Sequence, residues 1–435
     1  MYWEKEIETM PVSELKALQL QRLQHTLLRA LTSPYYRRMY QAEGVSADDV
    51  RTLADVQRLP FTTKQDLRNG YPYEFLTVAK EEVVRLHSSS GTTGQATVIF
   101  HTAHDIADWA NLIARCMYMT GARKSDVFQN MSGYGMFTGG LGFHYGAEKL
   151  GVLTVPAGSG NSKRQIQFMK DFSTTIIHAI PSYALHLFSV FAELGMEPKR
   201  DLHLKIGYLG AEPYTEHTRR RVEEMFGVRV YNSYGLSEMY GPGVAFECPE
   251  QNGMHIWEDC FLVEVINPQT LEPVPDGEEG ELVLTALSRE AMPLIRYRTR
   301  DLTMILPGEC PCGRTHKRIA RIKGRSDDMF IVKGVNVFPM QVEAVLMGIP
   351  EVGTNYQIVL ETQDFMDVMT VKVEMRGEVF TGDVKGLQTL QHRITTALKS
   401  ELLFTPHVTL VEPGSFPEAQ GKAVRVIDHR MRNEE

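Results

Sequence analysis

Between residues 96 and 240 the chain alternates short, β-branched apolar runs with longer stretches whose apolar residues recur every three or four positions. The short runs at 98–100, 151–156, 175–180, 204–209 and 228–231 predict strands, and the longer ones at 105–119, 163–171, 182–194 and 216–226 predict helices between them. That order predicts an α/β fold with a layered, largely parallel sheet. Upstream, Leu20, Leu23, Leu27 and Leu31 recur at helical spacing after Pro11, so a core-facing helix is expected from about residue 13 into the thirties. Gln65 stands three residues after Thr62, the spacing of a capping box that would start another helix.

Beyond Cys248 the texture changes. Runs at 261–266 and 281–285, bounded by Asn267-Pro268 and Asp276-Gly277, predict short strands in an antiparallel or barrel-like subdomain over about 244–326. After Ser326-Asp327-Asp328, the alternation at 369–375 and the helical period at 387–402 predict a small α+β domain. The expected organisation is a large N-terminal domain, 1–326, and a mobile C-terminal domain, 327–435, of a size that folds alone.

Composition narrows the classes. A chain of 435 residues exceeds one ordinary core, and 43% hydrophobic with 23% charged residues is the balance of a globular protein. The net charge of −8 advertises no basic face and argues against nucleic acid as a partner. No basic, apolar leader follows Met1, and the most apolar stretch, 176–194, is broken by His178, Pro181, Ser182 and His186; no membrane span and a cytoplasmic location are expected.

The chemistry lies in the polar strings. Ser88-Ser89-Ser90-Gly91-Thr92-Thr93-Gly94-Gln95-Ala96-Thr97 has no charge and abuts the first apolar run, so it reads as a loop running into a strand. Its glycines let backbone N–H groups approach an anion, and its hydroxyls add neutral donors, which suits a polyphosphate already partly neutralised by a metal. It is not a Walker loop, because no Lys-Ser or Lys-Thr pair follows the second glycine. The string from Gly133 to Gly142 is too glycine-rich for a helix or a good strand and, with Thr138 at the sixth position, fails the dinucleotide fingerprint. Cys310-Pro311-Cys312-Gly313 looks like half of a structural Zn²⁺ site. Cys248 and His255 are the natural supply of two more ligands, with His316 and Cys260 as competitors.

The serine-rich string resembles the phosphate loop of the adenylate-forming enzymes. Four further strings follow in that superfamily's order: Tyr231-Asn232-Ser233-Tyr234-Gly235-Leu236-Ser237-Glu238, Tyr297-Arg298-Thr299-Arg300-Asp301-Leu302, Gly324-Arg325-Ser326-Asp327-Asp328, and Pro417-Glu418-Ala419-Gln420-Gly421-Lys422 with Arg425. The 133–142 string and Val332-Lys333-Gly334-Val335-Asn336-Val337-Phe338-Pro339 resemble signatures of the phenylacetate–CoA ligases within it.

The resemblance implies AMP-forming ligation of an aryl acid, phenylacetate foremost, to coenzyme A through an acyl-adenylate. Another acid or another acceptor remains an alternative, as does a zinc-stapled nucleotide-binding module without catalysis. Residue by residue it implies Glu238 as the Mg²⁺ ligand with Ser237 near the α-phosphate, Asp301 on the ribose hydroxyls and Arg325 on phosphate or ribose. It extends nucleotide contacts from Ser88, Ser89, Ser90, Gly91, Thr92, Thr93 and Gly94 to Gly210, Ala211, Glu212, Asn232, Ser233, Tyr234 and Gly235. Lys422 is implied as the cation between the carboxylate and the α-phosphate, Asp327 as a hinge, and Lys333 with Gly334 as the loop that comes in for the thioester step. Tyr134, Gly135, Phe137 and Gly140 are implied to line the acyl pocket. Gln95-Ala96-Thr97 departs from the superfamily's usual lysine and removes a cation near the pyrophosphate. The expected partners are ATP, the acid and CoA, with a homodimer left open.

Overall fold

The computed structural model describes residues 1–88, 96–333, 335–363, 366–377, 384–416 and 424–430. The expectations placed on Ser89, Ser90, Gly91, Thr92, Thr93, Gly94, Gly334 and Lys422 lie outside the described residues.

The strands that organise the chain are β1 (Val83–Ser88), β2 (Val98–Thr102), β3 (Val127–Asn130), β4 (Leu153–Val155), β5 (Ile176–Ala179), β6 (Ile206–Gly210), β7 (Arg229–Leu236), β8 (Gly241–Glu247) and β9 (Met254–Ile256). They are followed by β10 (Phe261–Ile266), β11 (Gly280–Ala286), β12 (Tyr297–Thr303), β13 (Ile305–Leu306), β14 (Arg318–Ile319) and β15 (Gly324–Arg325). A nine-stranded sheet runs β13-β14-β9-β8-β7-β6-β5-β3-β4. From β4 to β7 its pairings are parallel, as the strand–helix alternation predicts; from β7 to β13 they are antiparallel. Thus β8, β9, β13 and β14 extend the large sheet, while β10, β11, β12 and β15 form a separate antiparallel sheet.

The central strands read as unbroken apolar runs because both faces are covered. Neighbouring side chains point to opposite sides, so Ile176, Tyr208 and Tyr231 enter one core with Trp109 and Phe143, while Ile177, Leu209 and Val230 enter a second with Met169, Phe191 and Phe226. The first core is covered by the helices Ala103–Met119 and Thr138–Leu150, the second by Ser162–Asp171, Pro181–Glu193 and Glu216–Phe226.

The C-terminal segment has its own four-stranded sheet and its own core, which includes Val342, Ile358, Val371 and Ile394. It touches the large body through the helix Glu216–Phe226. Thr218 Oγ1 donates to Glu343 Oε1 at 3.2 Å, and Arg221 donates to the carbonyls of Val352 at 3.1 Å and Gly353 at 3.3 Å.

Three local expectations are corrected. The glycine-rich string does contain helix, since Thr138–Leu150 is α-helical from Thr138 onward. Two glycines of this helix are required by packing, because a Cβ on Gly146 would overlap the Ile113 side chain and one on Gly142 would overlap Trp109. The helix expected to start at the Thr62 box runs Lys64–Asn69, and its cap is Thr63, whose N–H donates to Asp66 Oδ2 at 2.8 Å. Thr62 is buried instead, donating to the Ile295 carbonyl at 2.7 Å and bonding the Tyr36 hydroxyl at 2.9 Å. The N-terminal helix ends at Ala30, and a second, Pro34–Glu43, starts at a Ser33 cap with proline at its first position.

Candidate active site

Parallel strands gather ligands at their C-terminal ends. Here β6 ends at Gly210 and β7 continues through Asn232, Ser233, Tyr234 and Gly235. A Cβ on Gly210 would meet the Ser233 carbonyl at 2.5 Å, and one on Gly235 would overlap the Gly241 backbone, so both glycines are required by close backbone approach. Ala211 adopts a left-handed φ of 68°, and the Glu212 carboxylate turns to Ser182, accepting from its N–H at 3.2 Å and its hydroxyl at 3.0 Å. The β7–β8 connection is a single tight turn, Ser237–Met239, that carries Glu238.

Glu238 is buried, with 6% of its surface exposed, and among the described residues its carboxylate makes no ion pair. Tyr297 stands beside it, its phenol pushed up by burial first and by the Glu238 charge second. A buried carboxylate with no ion pair among the described residues is costly, so Glu238, hydrogen-bonded by Tyr297, has the chemistry of a divalent-ion ligand. Ser237 Oγ lies 3.2 Å from Thr138 Oγ1, at the start of the helix Thr138–Leu150.

Asp301 sits on β12 directly opposite Arg325 on β15. Tyr234 donates to Asp301 Oδ2 at 2.6 Å, and Arg325 Nη1 donates to Oδ1 at 3.4 Å. Burial raises the Asp301 carboxyl to about 6, against the lowering effects of Arg325 and the Tyr234 hydrogen bond. The rest of the Arg325 fork is held by Asp327, at 2.8 and 2.9 Å. The structure therefore brings Tyr234, Asp301, Arg325 and Asp327 into one chain of contacts. Lys333 adopts a left-handed φ of 51° in the turn between Phe330–Val332 and Val335–Val337.

The ends of the serine-rich string are fixed by the β1–β2 hairpin, in which Ser88 faces Val98. The Ser88 N–H donates to the Met136 carbonyl at 3.1 Å, and His87 Nδ1 reaches the same carbonyl, so the end of β1 and the 133–142 segment are neighbours. Within that segment Tyr134 is half-buried, accepting from Asn130 Nδ2 at 3.1 Å; Phe137 is 51% exposed. Nothing lies near a Cβ on Gly135, whereas one on Gly140 would overlap the Gly133 carbonyl. Sequence reading missed Asn130, Thr138 and His178. His178 lies on β5, bonded to Asn130 Oδ1 at 3.0 Å and held down to about 3 by burial. Isolated polar residues inside apolar runs carry no motif, and only the fold brings Thr138 to Ser237, 99 positions away.

A second cluster lies at the far side of the sheet. The donor atoms of Cys248, His255, Cys310 and Cys312 all fall within 4.8 Å of one another. Cys312 Sγ is 3.2 Å from His255 Nε2, and Cys248 Sγ is 3.7 Å from Cys310 Sγ. The other His255 nitrogen faces the His316 carbonyl at 3.0 Å, which fixes the ring and leaves Nε2 as the donor to the cluster. Both nitrogens of His316 are occupied, one by the Glu258 N–H and one by the Ile7 carbonyl, and Cys260 bonds Asp259 instead. Three thiols and one imidazole at this spacing fit a tetrahedral zinc ion.

Residues 18–287 match the family of AMP-binding enzymes, and residues 334–430 match the AMP-binding enzyme C-terminal domain. The phenylacetate-coenzyme A ligase of Thermus thermophilus is 45% identical over 99% of this chain and its own full length; that of Escherichia coli is 44% identical over 98% of this chain and 97% of its own. Among solved structures, a 2-hydroxyisobutyryl-CoA ligase in the postadenylation state, in complex with 2-HIB-AMP, aligns with a TM-score of 0.93 at 31% identity, covering 98% of this chain and 92% of that one. The same ligase with 2-HIB-AMP and CoA in the thioesterification state aligns at 0.74, covering 99% and 92%. With such likeness running from end to end, the chain belongs to the AMP-binding enzymes and, among them, to the family of phenylacetate–coenzyme A ligases.

Proposed function

We propose that this chain condenses an aryl acid, phenylacetate foremost, with ATP to an acyl-adenylate and pyrophosphate, then passes the acyl group to coenzyme A with release of AMP. The observation that carries the reading is the near-full-length identity of 45% to a phenylacetate-coenzyme A ligase, joined to a buried Glu238 that makes no ion pair among the described residues, at the end of the parallel strands.

In this reading Glu238 would hold Mg²⁺, which would supply positive charge to screen the phosphates where the acid meets the α-phosphorus. Asp301 accepts from both ribose hydroxyls, which calls for its ionised form and hence for a pH above about 6. Arg325 exchanges part of its hold on Asp327 for the nucleotide, and Ser237 with Thr138 lies at the α-phosphate side. Gly210, Ala211, Asn232, Ser233, Tyr234, Gly235 and Ser88 to Gly94 surround the nucleotide, while Tyr134, Gly135, Phe137 and Gly140 face the acid. Lys422 bridges carboxylate and α-phosphate during adenylation. Rotation about Asp327 then withdraws it and brings in the loop of Lys333 and Gly334 for CoA. The difference in TM-score between the two states of one solved ligase, 0.93 against 0.74, supports reading this conformation as the one before that rotation.

Zn²⁺ held by Cys248, His255, Cys310 and Cys312 would staple the end of the large sheet and leave no open coordination position. The test of the whole reading is a panel of carboxylic acids with ATP and Mg²⁺, with and without CoA, following pyrophosphate and free thiol separately. Pyrophosphate release with phenylacetate and CoA-dependent thiol loss are expected; a better acid or a CoA-independent acceptor would replace the substrate assignment.

A further inference from the structure

Arg289 is among the largest fully buried side chains of the protein, and neither composition nor motif marks it. Arg115, Arg296 and Arg314 are enclosed as well, and each sits on a carboxylate: Asp259 at 2.8 Å, Glu264 at 2.8 Å and Glu8 at 2.7 Å. Arg289 makes no ion pair among the described residues. Its guanidinium instead donates to two main-chain carbonyls, Glu238 at 2.7 Å and Phe100 at 2.9 Å, and its Nε has no partner among the described residues. Burial pulls its pKa below the usual value, with the charges of Asp105, Tyr240 and Glu238 acting the other way.

The two carbonyls belong to the two elements that meet at the nucleotide. Phe100 lies on β2, the strand that follows the serine-rich string, and Glu238 is the carboxylate on the β7–β8 turn. The segment carrying Arg289 is itself fixed, because Asp105 Oδ1 accepts from the Glu290 N–H at 2.7 Å and Oδ2 from the Ala291 N–H at 3.0 Å. The guanidinium also lies 5.1 Å from the centroid of the Tyr240 ring, next to the turn. A buried cation that makes no ion pair is expensive to retain, and a fork of fixed donors spanning two strands is what it provides in return.

We infer that Arg289 is a positioning residue for the metal. By pinning the Glu238 carbonyl to β2 it fixes where the Glu238 carboxylate points relative to the phosphate-binding string. The inference rests on the reading of Glu238 as the Mg²⁺ ligand.

The test measures binding apart from turnover, with Mn²⁺ as the probe and a non-hydrolysable ATP analogue, followed by electron paramagnetic resonance, beside calorimetric affinities for ATP with and without metal. Arg289→Lys keeps the charge and loses the fork. It is expected to keep the thermal midpoint and the metal-free ATP affinity while weakening Mn²⁺ binding by about 10–100-fold, the usual cost of losing a group that orients a ligand. Arg289→Gln should do the same more severely. Should Arg289→Lys bind Mn²⁺ as the wild type does, or lose metal-free and metal-loaded ATP affinity equally, the inference is overturned. Failure of both variants to fold overturns it too, since a residue that only aims the turn leaves the fold standing. Glu238→Gln run in parallel separates the two readings. If it leaves Mn²⁺ affinity unchanged, the metal assignment itself is wrong; if it abolishes binding while Arg289→Lys does not weaken it, only the role of Arg289 falls.

Discussion

The Cys/His cluster and the Glu238–Asp301 site lie in the same large body, and both gather residues from distant parts of the chain, yet they are finished to different degrees. In the cluster the donors stand within 4.8 Å of one another and the imidazole is already oriented by the His316 carbonyl. Cys312 is held low by the Cys248 hydrogen bond and then by His255, and the His255 ring is raised by its thiol neighbours against its own burial. At Glu238 and Asp301, by contrast, the buried Glu238 makes no ion pair among the described residues and Asp301 is held well above the usual carboxylate range. The cluster's donors are already gathered and oriented on one another by the fold. A site that works on a substrate leaves charges for the substrate to answer.

That contrast breaks most sharply at Glu238. Glu238→Gln keeps the shape and removes the charge, so kcat/KM for adenylate formation should fall on the order of 10²–10³-fold with the thermal midpoint unchanged; a pyrophosphate-release assay with acid and ATP reads it. Cys312→Ser should do the opposite. Zinc, about one per chain by elemental analysis, should be lost and the thermal midpoint lowered by several degrees, while kcat per folded molecule at low temperature stays near wild type.

Asp301 gives a smaller, graded effect with a defined sign. A carboxyl raised to about 6 is protonated below that pH and ionised above it, and protonation removes an acceptor from the ribose. The KM for ATP should therefore rise as pH falls through 6, and Asp301→Asn should show a high KM without that pH dependence. The raised value also means that the contribution of Asp301 to stability grows as pH falls from 6 toward 4, opposite to its trend in ATP binding. Least of all, Phe137→Ala should raise the KM for phenylacetate several-fold and leave that for ATP alone, as lost contact area predicts.

The helix Glu216–Phe226 was legible to the residue because the chain states both of its ends, a Thr215 cap and a glycine at 227 with φ 69°. Strand β7 runs to Leu236, past the read limit of 231, because Asn232, Ser233 and Gly235 carry no apolar signal and their extension is dictated by pairing with β6 and β8. Glu238, Asp301 and Arg325 were legible as strings. That Tyr234 reaches Asp301 across 67 positions was not, nor was a buried Arg289, since the polar triplet Ser288-Arg289-Glu290 looks the same whether it serves a site or a surface.

The close packing of the helix Thr138–Leu150 also limits how the acid specificity of this enzyme can be redesigned. Gly142 touches the Trp109 ring and faces Pro242, where a Cβ would come to 2.7 Å of the proline Cγ, and Trp109 in turn donates to the Pro242 carbonyl at 3.0 Å. Any side chain added on that inner face pushes through Trp109 and Pro242 into the strand that leaves the Glu238 turn. If the 133–142 segment lines the acid pocket as proposed, there is room for change at the exposed Met136 and Phe137 and none at Gly142, where a change made for selectivity would be read out as a misplaced carboxylate.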